Sequence, residues 1–149
     1  MTSQATRIEH DLLGEKAVPA DAYYGVQTAR GLENFHISGV ELRLYPNVIK
    51  AFAMVKLAAA RANFDCGQFP AEILKGMEGA CQELIEGKLH DEFRLDVFQG
   101  GAGTSSDMNA NGVMANRALE LMGHKKGEYQ YVNPNDHVNF GQSTNDMYP

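Results

Sequence analysis

The chemistry this sequence could perform is concentrated in two hydroxyl-rich segments. Gly100-Gly101-Ala102-Gly103-Thr104-Ser105-Ser106 and Gln142-Ser143-Thr144-Asn145-Asp146 each stand where a helix would begin. Both offer hydroxyls, amides and free backbone N–H groups, and neither contains Lys or Arg. Helix starts of this kind attract anions, because orphan N–H donors and the helix dipole both point at the ligand. Two of them in one chain suggest a ligand with two anionic ends, such as a small dicarboxylate. Each segment also has a plainer reading as a helix cap, with hydroxyls accepting from first-turn N–H groups and glycines only permitting the turn. The first segment is not a nucleotide loop. It lacks the Lys-Ser/Thr of a P-loop and the third glycine of the dinucleotide pattern.

Other reactive side chains are less organised. His137, in Asp136-His137-Val138-Asn139, could act as an acid or base, or could simply be hydrogen-bonded in a loop. Nothing in the sequence separates the environments of Asp136 and Asp146, so they do not read as an acid/base pair. His90, Asp91 and Glu92 are adjacent without the spacing of metal ligands, and no metal is expected.

The elements that must position these groups follow from the apolar pattern. Residues 1–45 read as an irregular arm, within which Tyr23 to Thr28 could form a short strand or hairpin arm. A helix is predicted from Pro46 to about Phe64, so apolar that it should be buried on most faces. A second runs from about Pro70 to Glu86, on a stripe that includes Ile73, Met77, Cys81 and Leu84, with Gly87 as its cap. A third runs from about Ser106 to Met122 and carries Asn109, Asn111 and Asn116, which are poor helix formers. Residues 88–104 and 123–141 read as loops, the latter around the turn Asn133-Pro134-Asn135-Asp136. The fold is mainly α.

Composition narrows the function classes. The 149 residues carry 13 Lys and Arg against 19 Asp and Glu, a formal charge of −6, which argues against nucleic acid as a partner. That charge gives no help in drawing in an acidic ligand. From Leu95 onward the only Lys or Arg residues are Arg117, Lys125 and Lys126, so an anion site needs dense donors or cations from elsewhere. Cys66 and Cys81 form no paired motif and read as free, buried thiols of a reducing compartment. No signal peptide or membrane span is evident, and a cytoplasmic protein fits.

Taken in order, these motifs resemble the fumarase/aspartase superfamily of lyases, on its aspartase side. The resemblance begins with Arg7-Ile8-Glu9-His10-Asp11-Leu12-Leu13-Gly14 and Val18-Pro19-Ala20-Asp21-Ala22-Tyr23-Tyr24-Gly25-Val26-Gln27-Thr28. It continues through Gly100 to Ser105, Met108-Asn109 and Gly127-Glu128-Tyr129-Gln130-Tyr131, and closes on Asn133 to Asn139 and Gln142 to Asp146. Fumarases usually carry Gly-Ser-Gly-Thr-Gln-Ser and His-Pro-Asn-Asp where this chain has Gly101-Ala102-Gly103-Thr104-Ser105-Ser106 and Asn133-Pro134-Asn135-Asp136.

The resemblance implies the N-terminal helical domain of that fold, spanning residues 1–141, with residues 142–149 opening a central helical bundle. It implies a reversible elimination of ammonia from L-aspartate to give fumarate, with no cofactor, in a homotetramer. Substrate-binding roles fall on Thr104, Ser143, Thr144 and Asn145, with Ser105 and Asn109 as further members, and a secondary anion site falls on Asn135 and Asp136. The resemblance implies that no catalytic residue lies in this chain. The family's proton-abstracting serine and substrate-clamping lysine are expected beyond Pro149, so the chain reads as the front part of an enzyme, inactive alone. A class II fumarase fragment and a non-catalytic or degenerate anion-binding relative are the alternatives.

Two positions depart from the family pattern. Asp107 stands where Asn is usual, and is expected to repel a dicarboxylate. Gly112 stands where Glu is usual, and a glycine inside a helix costs about 1 kcal/mol relative to Ala.

Overall fold

The computed structural model describes residues 5–148. The arm is more regular than its sequence suggests. β1 (Thr6–Asp11) and β2 (Gly14–Pro19) pair antiparallel, from Thr6 opposite Pro19 to Asp11 opposite Gly14. The tight connection is helped by Asp11, whose carboxylate accepts the Leu13 N–H at 2.8 Å. A hairpin is therefore present, but upstream of Tyr23–Thr28, the stretch read as a strand or hairpin arm. Val26 to Thr28 instead open helix α1 (Val26–Asn34).

Long-range contacts decide this. The Arg7 guanidinium donates to the carbonyls of Pro19, Ala22 and Tyr24 at 2.8–2.9 Å, holding the linker that would otherwise be loose. The buried Glu9 carboxylate accepts the Val26 N–H at 2.8 Å and so serves the start of α1 from another element.

The body is formed by α2 (Pro46–Asp65), α3 (Ala71–Ile85) and α4 (Thr104–Leu121). α2 buries Ile49, Phe52, Ala53, Lys56 and Ala60 along one side. Its other side is more open than its composition predicts: Val48, Met54 and Val55 are 37%, 53% and 41% exposed. α3 buries Ile73, Met77, Ala80, Cys81 and Leu84 against it. α4 is the central helix, buried continuously from Ser106 to Asn116. Its asparagines are tolerated because their amides serve other segments. Asn116 donates to the Tyr23 carbonyl at 2.8 Å and accepts the Gly127 N–H at 2.8 Å.

Gly112 has a packing reason that the propensity argument misses. A Cβ there would lie 3.1 Å from the Gly25 backbone nitrogen. The close approach of α4 to the start of α1 thus opposes the helix gain expected from any larger residue. Beyond α4, residues 123–133 are turns, and Pro134–Val138 form one π turn where the sequence indicates only a turn. The Asn133 side chain opens it, accepting the N–H groups of Asn135 and Asp136 at 2.7 and 3.1 Å. A short helix, α5 (Thr144–Met147), follows.

Cys66 is exposed, contrary to expectation, and Cys81 is buried; both are free. Burial pushes the Cys81 thiol up to about 12. No helix of the described residues is long and apolar enough to cross a membrane.

Candidate functional site

The two hydroxyl-rich segments meet. Thr104 Oγ1 donates to Asn145 Oδ1 at 2.9 Å and lies 3.3 Å from Thr144 Oγ1. Residues forty positions apart in sequence thus present their polar atoms to one another at the mouth of α4. This juxtaposition depends on how each helix starts.

α4 begins without a side-chain cap of its own. Gly103 occupies the N-cap position at φ +82°, a left-handed conformation that favours glycine. Space imposes the same choice, because a Cβ at Gly103 would fall 2.1 Å from Cγ of Tyr148. One orphan donor of the first turn is served from outside: Gln99 Oε1 accepts the Ser106 N–H at 2.9 Å, and Gln99 Nε2 also donates to Ser106 Oγ at 2.5 Å. Thr104 is the first residue inside the helix, and its hydroxyl is left free to face α5. The cap reading therefore fails for Thr104. It holds for Ser143, which is the N-cap of α5 and accepts the Asn145 N–H at 3.3 Å.

The other sequence candidates stand elsewhere. Ser105 is half-buried and lines a hollow of about 350 Å³ with Asp11, Gln27 and Arg30. Arg30 grips Asp11 through two hydrogen bonds of 2.9 Å, so its charge is already matched. Asn109 lies five residues past Thr104, about 140° around the helix. It is fully buried and donates to the Glu92 carbonyl at 3.2 Å, away from the Thr104 cluster. Asn135 and Asp136 are exposed on the π turn. Asn135 borders a separate cavity of about 500 Å³, whose walls include Glu9, Thr28, Gly112 and Tyr129.

His137 is held in a loop role. Its Nδ1 accepts the Asn133 N–H at 2.9 Å, its ring meets Phe69 edge-on at 6.2 Å, and burial lowers its pKa. Held neutral with Nδ1 as acceptor, it closes the π turn. His90 contacts the Leu84 carbonyl through Nε2 at 2.8 Å, and Glu92 accepts the Tyr23 N–H at 2.8 Å, so both are engaged structurally.

Sequence reasoning missed Lys56. It lies in the apolar run of α2, yet its side chain and that of Asp107 are both 0% exposed and form an ion pair at 2.8 Å. Asp107 is therefore not a bare charge aimed at a ligand, and the expected repulsion is withdrawn: the carboxylate is matched inside the protein. Lys56 Nζ also donates to Asn139 Oδ1 at 2.8 Å and Gln142 Oε1 at 3.0 Å. Burial pulls the Lys56 pKa below its ordinary value, and Asp107 opposes that shift. The only sequence signal was a lysine on a helix face otherwise built of Ile49, Phe52, Ala53 and Ala60.

Comparison with known proteins agrees with this architecture. A family model described as Lyase matches residues 14–149. The chain belongs to that lyase family, and its fold is the N-terminal domain of the fumarase/aspartase type. It is 57% identical over 145 residues to an aspartate ammonia-lyase of Pseudomonas aeruginosa, covering 97% of this chain and 31% of that protein. The aspartate ammonia-lyase of Escherichia coli K12 is 55% identical over 148 residues, with 99% and 31% covered. Among solved structures, a fumarate lyase:delta crystallin from Brucella melitensis bound to cobalt superposes with a TM-score of 0.96 at 54% identity, covering 97% of this chain and 32% of that one. A class II fumarase from Schistosoma mansoni gives 0.90 at 38% identity, covering 97% and 30%. The chain thus spans about a third of the length of the relatives it matches.

Proposed function

We propose that this chain supplies part of the substrate site of an aspartate ammonia-lyase, which eliminates ammonia from L-aspartate to give fumarate. The observation that carries this reading is the Thr104 hydroxyl, released from capping and set within hydrogen-bond distance of Thr144 and Asn145. A cluster of hydroxyl and amide donors at a helix mouth suits a carboxylate, and its donors would stabilise charge that develops there as a Cβ proton leaves. Ser143 supports the group by fixing the start of α5. Ser105 stands at the flank, and Asn109 contributes through the packing of α4. Asn135 and Asp136 form a second, separate anion-binding region.

The identity of 55–57% to aspartate ammonia-lyases favours ammonia over water as the leaving group. Ser105 and Asn133 point the same way, standing where the fumarase pattern has Gln and His. His137 is committed to its turn and does not offer a base to Thr104. The base and the balancing cation are therefore supplied by residues outside this chain, in a tetrameric, cytoplasmic enzyme whose central bundle starts near Gln142.

The test is the product. An intact lyase carrying these residues as its front segment should release fumarate from L-aspartate, read by absorbance, and form little malate from fumarate. Malate formation at a comparable or greater rate would overturn the assignment in favour of a hydratase. The 149-residue chain alone should show no turnover.

A further inference from the structure

Lys56 is a fully buried charged side chain that the proposed chemistry does not use. Its ammonium donates to Asn139 Oδ1 at the end of the π turn and to Gln142 Oε1 just before Ser143, and forms an ion pair with Asp107 Oδ1 on α4. The acceptors are themselves cross-linked. Asn111 Nδ2 donates to Asp107 Oδ2 at 2.8 Å and to Asn139 Oδ1 at 3.3 Å. Asn139 Nδ2 donates to the Gln142 carbonyl at 3.0 Å, and Gln142 Nε2 to the Val138 carbonyl at 3.0 Å. One buried cation therefore ties α2 and α4 to the segment that delivers the start of α5.

An apolar residue at position 56 would fill the same space without the desolvation of a charge. Buried ion pairs are often no more stabilising than apolar replacements of similar shape, so stability alone does not account for this one. What the pair provides is direction. Gln142 stands at one fixed place relative to α4, and α4 begins at Thr104.

We infer that Lys56, with Asp107 as its counter-charge, is a positioning residue that sets Ser143, Thr144 and Asn145 against Thr104. The inference rests on the reading of those four residues as the substrate-binding group. It also explains the presence of Asp107, whose carboxylate keeps the ammonium charged and aimed at Asn139 and Gln142 instead of acting on the ligand.

The test pairs a measurement on the protein itself with one on catalysis. The double variant Lys56→Met/Asp107→Leu removes both charges while keeping similar shapes. In the 149-residue chain, the amides of Gln142, Asp146 and Met147, which bond to the Asn139 and Ser143 carbonyls, should exchange with solvent at least about tenfold faster. Amides within α3 should be unchanged. Exchange at those three amides within about twofold of the parent would overturn the inference. Should the double variant fail to fold, Gln142→Leu removes one acceptor and leaves the ion pair intact. Its exchange should rise in the same direction by about threefold or more, and no change would overturn the inference equally.

In an intact lyase built on these residues, the double variant should lower kcat and kcat/KM for L-aspartate roughly tenfold, because displaced donors no longer meet the charge that develops as the Cβ proton leaves. A parent-like kcat, with or without a rise in KM, would overturn the positioning role. An intact parent that does not turn over L-aspartate would refute the proposed function, and the exchange result would still decide the positioning claim.

Discussion

The starts of α4 and α5 have similar residue types and are built in opposite ways. α5 begins conventionally: Ser143 uses its hydroxyl to accept the Asn145 N–H. α4 begins on a left-handed glycine, and its first-turn N–H is served by the amide of Gln99. A hydroxyl that caps its own helix has its acceptor committed. One relieved of that duty can face outward, as Thr104 does toward Asn145. Gly103 and Gln99 together leave the Thr104 hydroxyl out of its own helix start, where it bonds instead to Asn145.

The largest effect is expected from removing the Thr104 hydroxyl. In an intact lyase, Thr104→Ala should lower kcat/KM by roughly 10²-fold, the scale for losing one preorganised donor. The melting temperature should stay nearly constant, because no cap is lost. A large loss of stability with normal activity would return Thr104 to a structural role.

Gly103→Ala attacks the same start through its backbone. The left-handed conformation alone costs a non-glycine residue about 1–3 kcal/mol, and the new methyl meets the ring of Tyr148. Thermal unfolding should show a loss of about 2 kcal/mol or more, and the resonances of Tyr148 should shift. Parent-like stability would mean that the turn tolerates a side chain after all.

Ser143→Ala should be milder, about 1 kcal/mol, and confined to α5, because only one cap is removed. Amide exchange at Asp146 and Met147 checks it, and unchanged rates would show that Ser143 is not the working cap.

The smallest effect at the site is expected from Asp96, which fixes the loop entering α4. Burial raises the pKa of its carboxyl. That is outweighed by the N–H groups of Phe98, Gly39 and Ser38 and by the Ser38 hydroxyl, all at 2.7–2.9 Å, which hold it far below the ordinary carboxylate range. A carboxyl lowered on folding stabilises the protein above its unfolded pKa of about 3.9, and that contribution is lost as the pH falls below it. Asp96→Asn should therefore lower the melting temperature at pH 7, with the difference from the parent shrinking toward pH 2. A difference that is constant with pH would exclude the ionised form as the stabilising species.

How much of this was readable in advance varies with the range of the forces involved. The apolar spacing in α2, α3 and α4 is local, so those helices appear within a few residues of their predicted bounds. The hairpin lies upstream of its predicted place because Tyr23 to Thr28 is set by Arg7 and Glu9, which act from another strand. Both hydroxyl-rich segments were legible by composition. Which of them caps and which is free was not, since that depends on the φ of Gly103 and the reach of Gln99. Lys56 was invisible for a similar reason. A lysine is read as solvated until its partner is known, and Asp107 joins it only through packing of α2 on α4.

The central claim is that Thr104 and the Ser143–Asn145 segment form one carboxylate-binding place. Titrating the isotopically labelled chain with succinate, followed by nuclear magnetic resonance, tests it most directly. Saturable shifts are expected at Thr104, Ser105 and residues 143–146, with millimolar or weaker affinity, since a few hydroxyl contacts supply no more than about 4 kcal/mol. Shifts centred instead on Asn135 and Asp136, or none at Thr104 up to tens of millimolar succinate, would contradict it.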